Sequence, residues 1–279
     1  MIMKVNSSSV KDVQASVEPG TALEVSEVKD PLFVTALARG LDILRCFTPE
    51  REDLGSREIA RLTGLPQPTV WRLCHTLLKL GYLVPGVTPN RLRVGSGVLL
   101  LGHAAITRTG LSAFALPLMR QVSERHKISV TLAERNVTDM LILQRIEAPS
   151  ILSLNLHVGT NLDLGNSSVG WAYLCAVDEP TREAALKQLK KRDPDGFAKI
   201  RLDLASAMKE FSKWGVVFNL GRSHPDVNAV GVPVMSQDGK KVMALTSGGA
   251  KSSVTKEKLL NEVAPALKEL ALSLSPMLH

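Results

Sequence analysis

The sequence predicts an α+β chain: an N-terminal winged helix-turn-helix, a linker helix, and a larger C-terminal domain on one largely antiparallel sheet. Three observations predict it. Two short helical patterns flank Gly64 within residues 56–77, an arginine-bearing pair of extended segments follows, and from Ile128 the apolar period shifts towards two. At 279 residues the chain has room for two ordinary domains, each with its own core.

Residues 1–30 mix Ser, Val, Lys and Glu around a Pro-Gly pair without a sustained period, and read as a flexible tail. From Pro31 the apolar residues Phe33, Leu37, Leu41, Leu44 and Phe47 recur at three- and four-residue steps. That is a helix, with Pro31 placed for its first turn. Residues 48–54 read as a charged loop. In 56–77, Ile59, Ala60 and Leu62 form the stripe of one helix with Ser56 as N-cap, and Gly64 permits a left-handed turn. Val70, Leu73, Leu77 and Leu78 then resume the stripe after two prolines. Ala60 is small where the helices cross, and Val70 and Leu73 pack back on the first. Gln67, Thr69, Trp71, Arg72 and His75 are left facing away from the core, a face that a purely structural hairpin does not need. Gly81 ends the second helix. Residues 82–84 and 91–94 are short extended segments around Pro85, Gly86, Pro89 and Asn90, which makes a wing whose Arg91 and Arg93 alternate outwards.

Residues 96–108 form a strongly apolar helix, too short to span a membrane and suited to pairing with its copy in a second subunit. Another helix covers 112–126, with Pro117 near its first turns. Three strands follow, marked by Ile128, Val130 and Leu132, by Met140 to Leu143, and by Leu152, Leu154 and Leu156. Residues 166–176 are a glycine-containing loop entering a helix. Amphipathic helices cover 180–191 and 197–213, divided by an Asp-Pro-Asp-Gly turn. Strands cover 216–219, 227–234 and 241–247, the last two joined through Asp238-Gly239, and a helix over 255–274 closes the chain. The domains are therefore a tail at 1–30, a winged helix-turn-helix at 31–95, a linker helix at 96–110 and a second domain at 111–279.

Composition narrows the function. Hydrophobic residues at 44% and charged residues at 22% are those of a soluble globular protein. There is no apolar run near the length of a membrane span and no signal core, so the expected location is cytoplasmic, away from the membrane. Cys46, Cys74 and Cys175 are widely spaced and read as reduced core residues. The net charge is +7, and residues 56–95 hold six basic residues against one acid, a net of +5. That placement suits a phosphate-binding footprint, with a solvated basic face as the plain alternative.

Gln67, Thr69 and Arg72 lie near the start of the second helix, the part of a recognition helix that meets base edges in the major groove. Ser56, Arg57, Trp71, His75, Arg91 and Arg93 suit phosphate contacts, which position without specifying. Trp71 has packing as its alternative. Enzyme chemistry finds little support. The run GNSSVG at 165–170 superficially resembles a nucleophile elbow, but no Ser has Gly at both flanking positions. No HExxH, P-loop or GxGxxG occurs, the Asp-Pro-Asp-Gly turn lacks the remaining ligands of a calcium loop, and His75, His103, His126, His157 and His224 are too dispersed for a metal site. No catalytic residue, metal or cofactor is expected.

The run Gly64-Leu-Pro-Gln-Pro-Thr-Val-Trp-Arg-Leu-Cys74, the wing segments Gly81-Tyr-Leu83 and 90–95, the loop and helix at 165–175, and the late strands at 227–234 and 244–249 resemble an IclR-family transcriptional regulator. The resemblance spans about residues 31–275. It implies a GAF-like effector-binding domain after the linker helix, and a homodimer or dimer of dimers (a homotetramer) on a double-stranded DNA operator. It also implies a small organic effector, a carboxylate with aromatic acids included, in a pocket at Asn166, Ser167 and Ser168, faced by Asn219, His224, Asn228, Thr246 and Ser247. For each of these residues a turn or capping role is the alternative. Gln67 and Pro68 depart from the basic and hydroxyl residues of the family pattern, and Gly165 and Asn166 from its His-Ala. Two other readings stay open: a winged-helix module working mainly through protein contacts, and a ligand-binding domain with hydrolase-like activity.

Overall fold

The computed structural model describes residues 31–48, 50–107, 111–149 and 155–278, and divides into two compact units between Leu101 and Gly102. The tail expected at 1–30 lies outside the described residues.

The first unit runs α1 (Thr35–Arg45), β1 (Leu54–Gly55), α2 (Ser56–Thr63), α3 (Gln67–Lys79), β2 (Leu83–Pro85) and β3 (Arg91–Val94), and α4 (Gly97–Thr107) begins in it. Its core is Ile43, Cys46, Leu54, Ile59, Val70, Cys74 and Leu83, aliphatic apart from two thiols. Gly64 ends α2 at φ 67°, the left-handed conformation that lets α3 fold back. Three local expectations are corrected. Pro31 precedes α1, which is capped at Val34. Residue 54, expected in a loop, pairs with Leu92, so the wing is a three-stranded sheet in the order β1-β3-β2. Because β1 runs directly into α2, Gly55 takes the N-cap and Ser56 becomes the first helical residue. The Glu58 carboxylate accepts the Gly55 N–H at 2.8 Å in place of a serine cap.

The second unit runs α5 (Leu111–His126), β4 (Ser129–Asn136), β5 (Asp139–Ile146), β6 (Asn161–Asp163), α6 (Ser168–Ala176), α7 (Glu179–Arg192) and α8 (Phe197–Trp214). It continues through β7 (Val217–Leu220), β8 (Val227–Met235) and β9 (Val242–Ala250) to a terminal helix, α9, made of Lys256–Lys258, a π turn Leu259–Val263 and Ala264–Leu274. The π turn has a covalent cause: Pro265 has no N–H to donate back along the helix, and the Ala264 N–H reaches the Leu259 carbonyl five residues back. The six strands form one antiparallel sheet in the order β6-β5-β4-β9-β8-β7. The strand expected around Leu152, Leu154 and Leu156 falls mostly on residues that are not described. Residues 152–154 lie outside the described residues, Leu156 is not in a strand, and the edge is formed by β6 through Met140↔Leu162.

Each face of the sheet has its own core. On one, α5 and α9 bury Met119, Ile128, Leu132, Phe218, Val230 and Leu267. On the other, α6, α7 and α8 bury Met140, Leu164, Trp171, Leu189, Leu204 and Val217. The Leu132↔Gln144 pair is followed by Ala133↔Ile142, so Leu143 is an extra residue in β5. Beyond that bulge the parity of β5 reverses, which sets Arg145 opposite Thr131 on the α6 face.

Candidate nucleic-acid interface and effector site

On α3 the buried Val70 and Cys74 fix which side is left outward, and Gln67, Trp71, Arg72 and His75 are exposed there, with Thr69 partly covered. Trp71 is 62% exposed and stacks on His75, ring centroids 5.5 Å apart at 16°, so it is not a core residue. The pair makes a flat aromatic platform on an otherwise polar face. Gln67 Nε2 donates to Ser56 Oγ at 3.3 Å, which links the start of α3 to the start of α2. Arg57 is exposed beside it.

The two wing arginines differ. Arg93 is exposed and pairs with no acid among the described residues. Arg91, expected to point outwards, instead donates from Nε and Nη2 to the Asp53 carbonyl at 3.1 and 2.5 Å and reaches Glu58 at 2.8 Å. It sits on the central strand of the small sheet opposite Gly55, so its guanidinium reaches Asp53 before β1 and Glu58 after it. The guanidinium is therefore a brace inside the unit. Asp53, Glu58, Arg61 and Arg91 line an open cleft of about 500 Å³ in which Arg91 pairs with Asp53 and Glu58.

In the second unit the eight effector candidates fall on two sides of the sheet. Ser168 Oγ lies 2.7 Å from Thr246 Oγ1 on the α6 face. Ser167 caps α6, its Oγ accepting the Gly170 N–H at 3.1 Å and donating to the Asp163 carbonyl at 2.6 Å. Asn219 Oδ1 accepts the N–H groups of Arg222 and Ser223, and the Ser223 hydroxyl donates to the Asn166 carbonyl, so Asn166 and Asn219 are joined on that face. Asn228 and Ser247 sit on the opposite face, among the α9-side core. Asn228 Nδ2 donates to the Val254 carbonyl at 2.8 Å and Ser247 Oγ to the Ser129 carbonyl at 2.8 Å. Their expected place beside Thr246 is corrected: adjacent positions on a strand point to opposite faces. His224 lies in the turn after β7, where its Nδ1 accepts the Asp226 N–H at 3.3 Å.

Side chains that sequence reasoning passed over complete the α6 face. Arg222 packs over the Trp171 ring at 5.0 Å and is matched by Glu210 at 3.2 Å and Asp203 at 3.8 Å. Thr131 is 2% exposed and accepts Arg145 Nη1 at 2.9 Å. No local pattern marks either arginine, because both reach this face through register and a turn. Cys175, on α6, has its thiol pushed up to about 12 by burial, and Cys74 to about 11, so both are protonated structural thiols. No helix among the described residues is long and apolar enough to cross a membrane.

Comparison with known proteins bears on both units. Residues 36–85 match the family model described as the IclR helix-turn-helix domain, and residues 103–276 that described as bacterial transcriptional regulator IclR C-terminal. The chain is 31% identical over 240 residues to the HTH-type transcriptional regulator TsaQ1/TsaQ2 of Comamonas testosteroni, covering 85% of this chain and 86% of that protein. It is 30% identical over 249 residues to the Pca regulon regulatory protein of Pseudomonas putida, with 85% and 82% covered. The crystal structure of an IclR family transcriptional regulator from Brucella abortus aligns at a TM-score of 0.82 and 36% identity over 93% of this chain and 98% of that one. An IclR homologue from Microbacterium hydrocarbonoxydans, complexed with 4-hydroxybenzoate, shares the fold at a TM-score of 0.68 and 23% identity over 88% and 99% of the two chains.

Proposed function

The chain belongs to the IclR family of DNA-binding transcriptional regulators, and from that premise we propose that it grips an operator as a homodimer or dimer of dimers under the control of a small carboxylate effector. The family is one of regulators, not of enzymes. The observation that carries the reading is the outward face of α3, where Gln67, Trp71, Arg72 and His75 stand exposed on a helix whose other side is buried. Gln67, Thr69 and Arg72 read base edges. Ser56, Arg57, Trp71, His75 and Arg93 hold the backbone, and Arg91 shapes the wing rather than touching phosphate.

The effector is held on the α6 face, where Asn166, Ser167, Ser168, Asn219 and Thr246 gather hydroxyl, amide and N–H donors, with His224 at the turn beyond Asn219. Leu99, Leu100 and Leu101 on α4 are each more than half exposed, which supports pairing of that helix with a second copy. A bound acid acts by preferring one spacing of the two recognition helices over another, and shifts affinity only as far as that preference goes.

The test is a fluorescence anisotropy titration on the DNA upstream of the chain's own gene, at several salt concentrations, with and without 4-hydroxybenzoate and other small acids. Binding that weakens with salt and changes with one of the acids is expected. Absence of salt-dependent binding to any such fragment would favour a module acting through protein contacts.

A further inference from the structure

Three arginines of the second unit lie largely under its surface, and two of them are matched by pairs of carboxylates. Arg192 is held by Asp139 at 3.0 Å and by Asp163, and Arg222 by Glu210 at 3.2 Å and Asp203 at 3.8 Å, although its Nη1 makes no hydrogen bond among the described residues. Arg145 is different. It is more deeply covered, with 11% of its side chain exposed, yet among the described residues the one carboxylate paired with it is Glu147 at 3.8 Å, itself 49% exposed. Its Nη1 is spent on the neutral Thr131 hydroxyl at 2.9 Å, and its Nε is buried with no acceptor among the described residues. The sequence offers no acid between Glu147 and Asp163 to complete the pair. A covered guanidinium whose one near carboxylate stands 3.8 Å off and half exposed is incompletely compensated, and an anion from outside would complete it.

Its position says which anion. The cross-strand register runs Arg145↔Thr131, Thr131↔Thr246 and Thr246↔Gly231, one row across the sheet beneath α6. Thr246 is the residue whose hydroxyl meets Ser168, so Arg145 stands on the same face as the loop assigned to the effector. The edge of the guanidinium left without a close partner carries Nε–H and one Nη2–H, two parallel donors whose spacing fits the two oxygens of a carboxylate.

We propose that Arg145, steadied by Thr131, is the anchor that takes the effector's carboxylate as a bidentate pair. The inference rests on the effector reading above and deepens it, naming a monocarboxylate as the ligand class and a residue that binds it. Two consequences separate an anchor from a strut. An anchor is a poorly matched charge in the empty protein, so replacing it by an apolar side chain of similar length leaves the fold intact or firmer. It also discriminates charge, so a carboxylate binds and its amide does not.

The experiment uses the full chain, with sodium benzoate, pyruvate and 4-hydroxybenzoate as probes and benzamide as the neutral counterpart of benzoate. Melting temperature is followed against probe concentration for the wild type, Arg145→Met and Arg145→Lys. At least one acid is expected to raise the wild-type melting temperature saturably while benzamide does not. In Arg145→Met its apparent affinity should fall roughly 10- to 100-fold, as loss of a charged hydrogen-bond pair implies, with a smaller fall in Arg145→Lys. Ligand-free Arg145→Met should melt no lower than the wild type. An equal shift in wild type and Arg145→Met overturns the anchor while leaving the effector reading intact. A ligand-free Arg145→Met that melts markedly lower or does not fold makes the guanidinium a strut and overturns it too. If none of the three acids shifts the wild type, the effector reading itself fails and the anchor falls with it.

Discussion

The Arg91 guanidinium lies 2.8 Å from the Glu58 carboxylate and ties the wing to the first helix of the helix-turn-helix. Two more donations to the Asp53 carbonyl close the same brace. Arg91→Ala removes all three contacts and should cost the first unit about 1 to 2 kcal/mol, seen as a lower midpoint in urea. Its effect on DNA binding should be one of wing placement, weakening all sequences without altering preference.

Arg93, two residues further along the same strand face and unpaired with any acid among the described residues, should behave as a phosphate contact. Arg93→Ala is expected to lower affinity for all duplexes alike and to reduce the slope of log affinity against log salt by about 1. An unchanged slope would take Arg93 off the DNA.

Arg72 should carry sequence preference instead. Arg72→Ala is expected to lose roughly 1 to 3 kcal/mol of discrimination between the operator and a scrambled site, with the circular dichroism spectrum unchanged, because the side chain is exposed and packs on nothing in the core. Footprints with the same sequence preference as the wild type would remove it from base readout.

Glu58 gives the first unit an acid limit. Its carboxylate accepts the Gly55 N–H and lies beside Arg91, which together hold it below the usual carboxylate range. A depressed folded value means the contribution is present above the unfolded value and lost as pH falls through the folded one. Melting of the first unit should therefore become easier below about pH 4, and Glu58→Gln should flatten that dependence.

Gly231 is where α6 meets the sheet. A Cβ there would stand 2.2 Å from the Ser168 carbonyl oxygen, a backbone atom that cannot swing away. Gly231→Ala should cost about 1 to 3 kcal/mol in the second unit and should disturb the Ser168–Thr246 contact directly above it. A variant as stable as the wild type would show that α6 can lift off the sheet at little cost.

Much of this architecture is written locally. The stripes of Ile59, Val70 and Cys74, the left-handed Gly64 and the Asp238-Gly239 turn each act within a few residues, so periodicity and turn chemistry reveal the helices and the late hairpin. The recognition face is legible for the same reason: on a helix, knowing the buried side fixes the exposed one. Sequence by itself therefore determined the helix-turn-helix, the two strands of its wing hairpin and the order of the later elements apart from β6.

The effector face was decided by tertiary structure. A strand's two sides exchange with every residue and again at every bulge, so the extra Leu143 and the register of β9 settle which candidates share a face. Asn228 and Ser247 were thereby parted from Thr246, while Arg145 was brought to its row. The fate of Arg91 was settled in the same way: alternation points it outwards, but Asp53, 38 residues earlier, is brought alongside by the two-residue strand β1. A strand that short leaves no pattern of its own, because its pairing energy comes from a partner that the local sequence does not contain.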